Sequence, residues 1–198
     1  MRNDIRRNIF RAITSGALIL TGCSQPGSGT PIAEHTTAYS CQAQAVTGQV
    51  YTRARTPKEP FTVSIPKLPG WEPAATARTD NKLAVVKSIG ISRSLTMLMP
   101  LDPASSREHA LAQLDSLNEI DPSVTIIHNE TVEICGNQAT RLIGTTGERG
   151  RQYDYINLAY QIDGNFYPIQ LRNQMSLGDV PLFSADIDTI FQGFQISP

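Results

Sequence analysis

Between residues 124 and 172 the chain passes through four apolar, β-prone stretches divided by glycine-bearing separators, and few folds accommodate that order. The separators are Gly136-Asn137, the run Gly144-Thr-Thr-Gly147-Glu-Arg-Gly150, and Asp163-Gly164-Asn165. Short connections of this kind join antiparallel neighbours, whereas a parallel crossover needs a dozen or more residues. Asp-Gly between two apolar runs is a hairpin signal, because both central residues of a type I′ turn take positive φ. The spacing predicts a meander of strands over 124–133, 140–145, 153–162 and 166–171. Upstream, Phe61-Thr-Val-Ser-Ile65 alternates apolar and polar residues up to Pro66, and Pro69-Gly70-Trp71 marks a turn. Residues 83–91 and 94–99 read as a further hairpin, with Ser92 and Arg93 between them.

Two helices complete the pattern. Ser105 or Ser106 is a fitting N-cap for a helix over 107–118, on which Ala110, Leu111, Leu114 and Leu117 form one apolar stripe. Gly178-Asp179-Val180-Pro181 introduces the second, with Asp179 as cap and Pro181 in the first turn. Phe183, Ile187, Ile190, Phe191 and Phe194 then recur at helical spacing and aim at the sheet. The expected fold class is α+β, an antiparallel sheet with helices packed on it. No period of 20–50 residues repeats, which excludes a solenoid.

The first 22 residues have a different character. Arg2, Arg6, Arg7 and Arg11 precede the short apolar stretch of residues 12–20, and Leu20-Thr21-Gly22-Cys23 follows. Charge, apolar core and small residues in that order make a secretory signal. Its last four residues resemble the bacterial lipobox, in which peptidase cleavage exposes a cysteine whose thiolate takes a diacylglyceryl group. Two or three acyl chains, palmitate among them, hold a protein stably where one does not. The expected organisation is a signal peptide over 1–22, lipidated Cys23 with a flexible spacer over 23–44, and one domain over 45–198. The Ser, Pro and Gly content after Cys23 suits a spacer, with a reach of about 25–30 Å. The expected location is the extracytoplasmic face of a cell membrane.

Once the signal is removed, 13 basic and 17 acidic residues remain, a net charge of −4. That balance argues against a nucleic-acid partner, which requires clustered cations. With Cys23 acylated, Cys41 and Cys135 form an even pair in an oxidising compartment. A bridge would close a loop of about 95 residues; two buried free thiols are the alternative.

Chemistry-bearing motifs are sparse. The glycines of residues 144–150 lack the Lys-Ser/Thr and the helix of a phosphate loop. Cys-x-x-Cys, His-Glu-x-x-His and Gly-x-Ser-x-Gly are all missing from the sequence. His35, His109 and His128 are scattered, and the pairs Glu130/Glu133 and Asp186/Asp188 read as solvated faces. No catalytic group, metal site or cofactor is expected. A hydrolase using His128 with an unrecognised nucleophile is the weakest reading.

Strand parity gives the one candidate surface. Tyr153, Tyr155 and Asn157 project to one side of their strand, and Gln170 and Arg172 join them from its hairpin partner. Phenol rings, amides and a guanidinium can stack on sugar rings or form a protein hot spot. Alternatively a helix covers this side and the tyrosines are packing. Trp71 either lines the same cleft or plugs the sheet edge.

Leu20-Thr-Gly-Cys23, the spacer, Phe61-Thr-Val-Ser-Ile-Pro66 with Pro69-Gly-Trp71, Gly136-Asn-Gln-Ala139 and the aromatic hairpin together resemble the small mycobacterial lipoproteins of the LpqN and LpqT type. The likeness runs over about residues 45–198. It implies a PsbP-like α/β/α sandwich, exposure in an actinobacterial cell envelope, and a non-enzymatic accessory role in building that envelope. Two binding roles follow: docking onto an envelope protein such as a transporter or synthase, or carrying or sensing a glycolipid or small amphiphile.

Overall fold

The computed structural model describes residues 37–39, 49–75, 83–119, 123–147 and 150–198. Eleven strands appear among them: β1 (Thr37–Tyr39), β2 (Val50–Arg53), β3 (Thr62–Pro66), β4 (Glu72–Pro73), β5 (Ala84–Ile89), β6 (Ser92–Pro100), β7 (Val124–Ile134), β8 (Asn137–Thr146), β9 (Arg151–Ile162), β10 (Asn165–Ser176) and β11 (Gln195–Ser197). Helix α1 spans Arg107–Glu119, and a 3-10 turn, Leu177–Asp179, leads into α2, Val180–Gln192.

An eight-stranded sheet in the order β1-β7-β8-β9-β10-β6-β5-β4 organises the domain, with a small sheet, β11-β3-β2, beside it. Every pairing is antiparallel except β1 with β7. The two faces of β9 carry different partners. Ile156, Leu158 and Tyr160 join the main core with Phe183, Ile187 and Phe191 of α2 and with Val63 and Ile65 of β3. Ala159, of opposite parity, packs with Ala110 and Leu111 of α1. The layers are thus α1, the large sheet, and then α2 with the small sheet, an α+β sandwich as expected. Covering both faces explains why residues 153–160 of β9 are buried without interruption instead of alternating.

The hairpin turns follow backbone chemistry, with shifts of a residue or two from the sequence reading. Asp163 and Gly164 take φ of 50° and 80°, as the Asp-Gly signal required. Cys135 (φ 52°) and Gly136 (φ 73°) form the β7–β8 turn, one residue earlier than Gly136-Asn137. Gly90 and Ile91 turn β5 into β6, so Ser92 and Arg93 belong to the strand. Gly144 lies within β8, where a Cβ would sit 2.6 Å from Val124 Cγ1, and β8 continues to Thr146. The segment assigned to a flexible spacer contains β1, whose three residues pair with β7. A polar stretch with little to bury can still complete a sheet edge through its backbone.

Ser106 Oγ accepts a hydrogen bond from the His109 N–H and so caps α1. Asp179 does not cap α2 in the expected way. Its backbone is α-helical, it makes no side-chain cap bond, and its carboxylate accepts instead from Ser92 Oγ at 2.7 Å. The α2 stripe behaves as its spacing implies: Phe183, Ile187, Ile190 and Phe191 are at most 1% exposed. After α2 the chain approaches β3 so closely that a Cβ on Gly193 would fall 2.2 Å from Pro66 Cγ.

Candidate functional site

The antiparallel register brings five of the six candidate residues onto one face. Asn157 pairs with Gln170, Tyr155 with Arg172, and Tyr153 with Gln174. Asn157 Oδ1 accepts from Gln170 Nε2 at 3.0 Å, both side chains being buried. The Arg172 guanidinium lies 4.9 Å from the Tyr153 ring centroid and donates to Gln174 Oε1 at 3.0 Å, while its buried Nε has no hydrogen-bond partner. Tyr153 and Tyr155 stack at 6.0 Å and pack with Leu142 and Val124. They are only 4% and 5% exposed, so their rings are packing and offer no open platform.

Trp71 belongs elsewhere. It is buried in the main core on the α2 side, donating its indole N–H to Asp186 at 2.8 Å, next to edge strand β4. It therefore plugs the sheet edge and does not line the tyrosine face. Asp186 also accepts from Lys87 Nζ at 2.7 Å, and Asp188 from Arg141 at 2.5 Å. These two aspartates, read from sequence as merely solvated, clamp α2 to the sheet.

Helix α1 covers the tyrosine face only in part. Between it and strands β7–β9 lies a half-open cleft of about 520 Å³. Leu111, Leu114 and Leu142 supply an apolar wall; Asn129, Thr131, Thr140 and Asn157 supply hydroxyl and amide groups. Such a mixture suits an amphiphile, whose chain takes the wall and whose polyol or sugar takes the polar edge. Sequence parity found Asn157 but not Asn129, Thr131 or Thr140. Their membership depends on the β7–β8 register, and a bulge between Ile126 and His128 brings Ile126, of opposite parity, to the same cleft. That bulge cannot be counted from alternation alone.

Catalytic groups do not converge among the described residues. His128 is half exposed and faces Glu130 at 3.6 Å, which Arg141 also approaches at 3.9 Å. His109 is exposed on α1, and His35 lies outside the described residues. No group of three His, Cys, Asp or Glu side chains among the described residues could hold a metal ion, and no described helix is long and apolar enough to cross a membrane. Cys23 and Cys41 lie outside the described residues as well, while Cys135 is disulfide-bonded.

One acid is unusual. Asp154 projects to the α2 side, is 3% exposed, and accepts from Gln152 Nε2 at 3.3 and 3.4 Å. Burial pushes its carboxyl above the ordinary aspartate range, outweighing the Gln152 hydrogen bond and the charge of Arg141. Ionising it therefore opposes folding, so its contribution is favourable below the unfolded-state pKa and is lost as pH rises through the folded one. Asp154→Asn is expected to raise the melting temperature at pH 7 by about 2–4 °C. The difference should vanish toward pH 3; melting curves at both pH values check it.

No protein-family model matches the chain, and no curated protein sequence matches it. Among solved structures it is similar to LpqN of Mycobacterium tuberculosis, described as involved in cell envelope biogenesis, with 11% identity, a TM-score of 0.57, and coverage of 78% of this chain and 95% of LpqN. A second similar structure is PA94 of Pseudomonas aeruginosa, a putative regulator by its description. It has 12% identity, covers 73% of this chain and 95% of PA94, and at a TM-score of 0.41 carries no argument. What the chain shares with LpqN is the fold: a broad, mostly antiparallel sheet with a helix on either side.

Proposed function

We propose that this protein is an exported lipoprotein of the LpqN and LpqT type, acylated at Cys23, whose α+β domain is a non-enzymatic accessory module of the cell envelope. LpqN's description supports the envelope setting; the lipobox-like Leu20-Thr-Gly-Cys23 supports the anchor and the extracytoplasmic face. In this reading Cys41 pairs with Cys135, which leaves Cys23 free for the lipid. The register supports that choice, since Tyr39, two residues before Cys41, pairs with Ile134, the neighbour of Cys135.

The observation that carries the binding role is the cleft beneath α1. A concave, half-apolar space favours holding a glycolipid or small amphiphile over docking on a flat patch. Docking onto an envelope protein is the second reading. Ile126 and Ile127, 43% and 60% exposed on β7, favour it, because exposed apolar side chains at a sheet margin suit a protein contact.

A fluorescent alkyl glucoside titrated into the purified chain tests the first reading. Saturable binding is expected, weakened at least about tenfold by Thr131→Trp, which fills the cleft from an exposed position. Binding that ignores Thr131→Trp would remove the cleft from the account. Crosslinking in the native envelope that recovers one defined protein, lost in an Ile127→Asp variant outside the cleft lining, would shift the role to docking. For the anchor, a mature chain whose intact mass carries no diacylglyceryl addition at Cys23 would refute acylation.

A further inference from the structure

At the end of the large sheet where β9 begins and β10 finishes, three parts of the chain gather. They are the β5–β6 turn at Gly90-Ile91, Gly150 just before β9, and the 3-10 turn Leu177–Asp179. Leu177 N–H donates to Gly150 O at 2.6 Å, and Ser92 Oγ donates to Asp179 at 2.7 Å, so the three are fastened together. Between them lies a second pocket, of about 280 Å³, lined by Arg93, Arg151, Gln174 and Ser176 with Ile91 and Leu95.

Its electrostatics are one-sided. Arg151 stands opposite Ser176 in the β9–β10 register, and on the other side of β10 Met175 pairs with Ser94, the residue after Arg93. The two arginines therefore flank Ser176 from both neighbouring strands, with backbones about 10 Å apart. No acid lines the pocket, and neither guanidinium has an acidic partner among the described residues. Two guanidinium groups without an acidic partner among the described residues, around a hydroxyl and an amide, make a donor set for a phosphate oxyanion.

The rim points to where that phosphate resides. Ile91, at the tip of its hairpin, is fully exposed, and Ile89 and Leu177 are exposed beside it. Apolar side chains projecting from turns next to cations are suited to a bilayer interface, where the chains enter the headgroup layer and the cations meet lipid phosphate. We propose that this end of the domain binds an anionic membrane surface, Arg93 and Arg151 holding a lipid phosphate while Ile91 and Leu177 enter the interface. It is a second contact with the bilayer, formed by the folded domain and separate from Cys23. It rests on this pocket and not on the α1 cleft, with which it shares no lining residue.

The test uses the mature chain, residues 23–198, carrying Cys23→Ser, so that neither an acyl chain nor the signal peptide contributes. It is sedimented with vesicles of phosphatidylcholine alone, and of phosphatidylcholine containing one quarter phosphatidylglycerol. Binding to the anionic vesicles is expected, falling as salt rises. The double variant Arg93→Gln/Arg151→Gln should lower the partition coefficient roughly 30-fold. Ile91→Asp should lower it about tenfold, and because the three positions carry no packing load, melting temperatures should stay unchanged. Thr131→Trp should leave vesicle binding intact, so failure of the amphiphile reading and failure of this one are told apart. Equal sedimentation of the double variant, or equal binding to neutral vesicles, overturns the proposal. So does a Cys23→Ser chain that takes up inorganic phosphate by phosphorus NMR yet never sediments, which would mark a soluble-anion site.

Discussion

Phe191→Ala is expected to lower the free energy of unfolding by about 3–5 kcal/mol, the range for removing a fully buried aromatic ring. Phe191 is entirely buried in the main core, where α2 meets the large sheet. Its ring also lies 5.8 Å from the Arg141 guanidinium, which holds Asp188 on the same helix. Truncation removes apolar contact, leaves a cavity, and takes away the surface on which Arg141 rests. The control is Leu182→Ala, half exposed on the first turn of α2, which should change stability by less than about 0.5 kcal/mol. Urea unfolding of the two variants measures both. A Phe191→Ala loss near that of Leu182→Ala would mean that α2 is not fastened to the sheet as described.

Loss of the disulfide at Cys135 comes next, at about 4–5 kcal/mol if the closed loop runs from Cys41. Cross-linking residues so far apart removes many extended conformations from the unfolded chain, so the effect grows with loop length. Cys135→Ser should lower the melting temperature by about 10 °C. Cys41→Ser should match it, and adding a reductant should bring the wild-type chain to the same value. Cys23→Ser should leave melting unchanged. A matching loss in Cys23→Ser, with none in Cys41→Ser, would reverse the assignment and remove the thiol on which acylation depends.

The elements were legible where local chemistry decides them. Asp163-Gly164 lies at its hairpin, Ser106 caps α1, and the Phe183, Ile187, Ile190 and Phe191 stripe is buried. Each is fixed by residues within a turn or two of one another. The elements that sequence reading missed are β1, β2, β4 and β11, of two to four residues each. Strands so short show no alternation to detect; they exist because a distant neighbour offers free backbone groups.

The site divides along the same line. Alternation along β9 and β10 placed Tyr153, Tyr155, Asn157, Gln170 and Arg172 on one face, since successive side chains must point to opposite sides. It could not reveal that the tyrosines pack with Leu142 and Val124 of neighbouring strands, or that Trp71 turns to Asp186, a residue 115 positions away. Nor could it gather Arg93, Arg151 and Ser176, which lie on three strands joined only by register.

By itself, then, the sequence determined that this would be an α+β chain of hairpins closed by an amphipathic helix, because hydrophobic period and turn chemistry act over a few bonds. Tertiary structure alone decided which face stays covered, which polar groups satisfy one another, and where two open clefts remain. Those outcomes depend on how strands far apart in the chain align and on what each helix shields from water, and no local pattern encodes either.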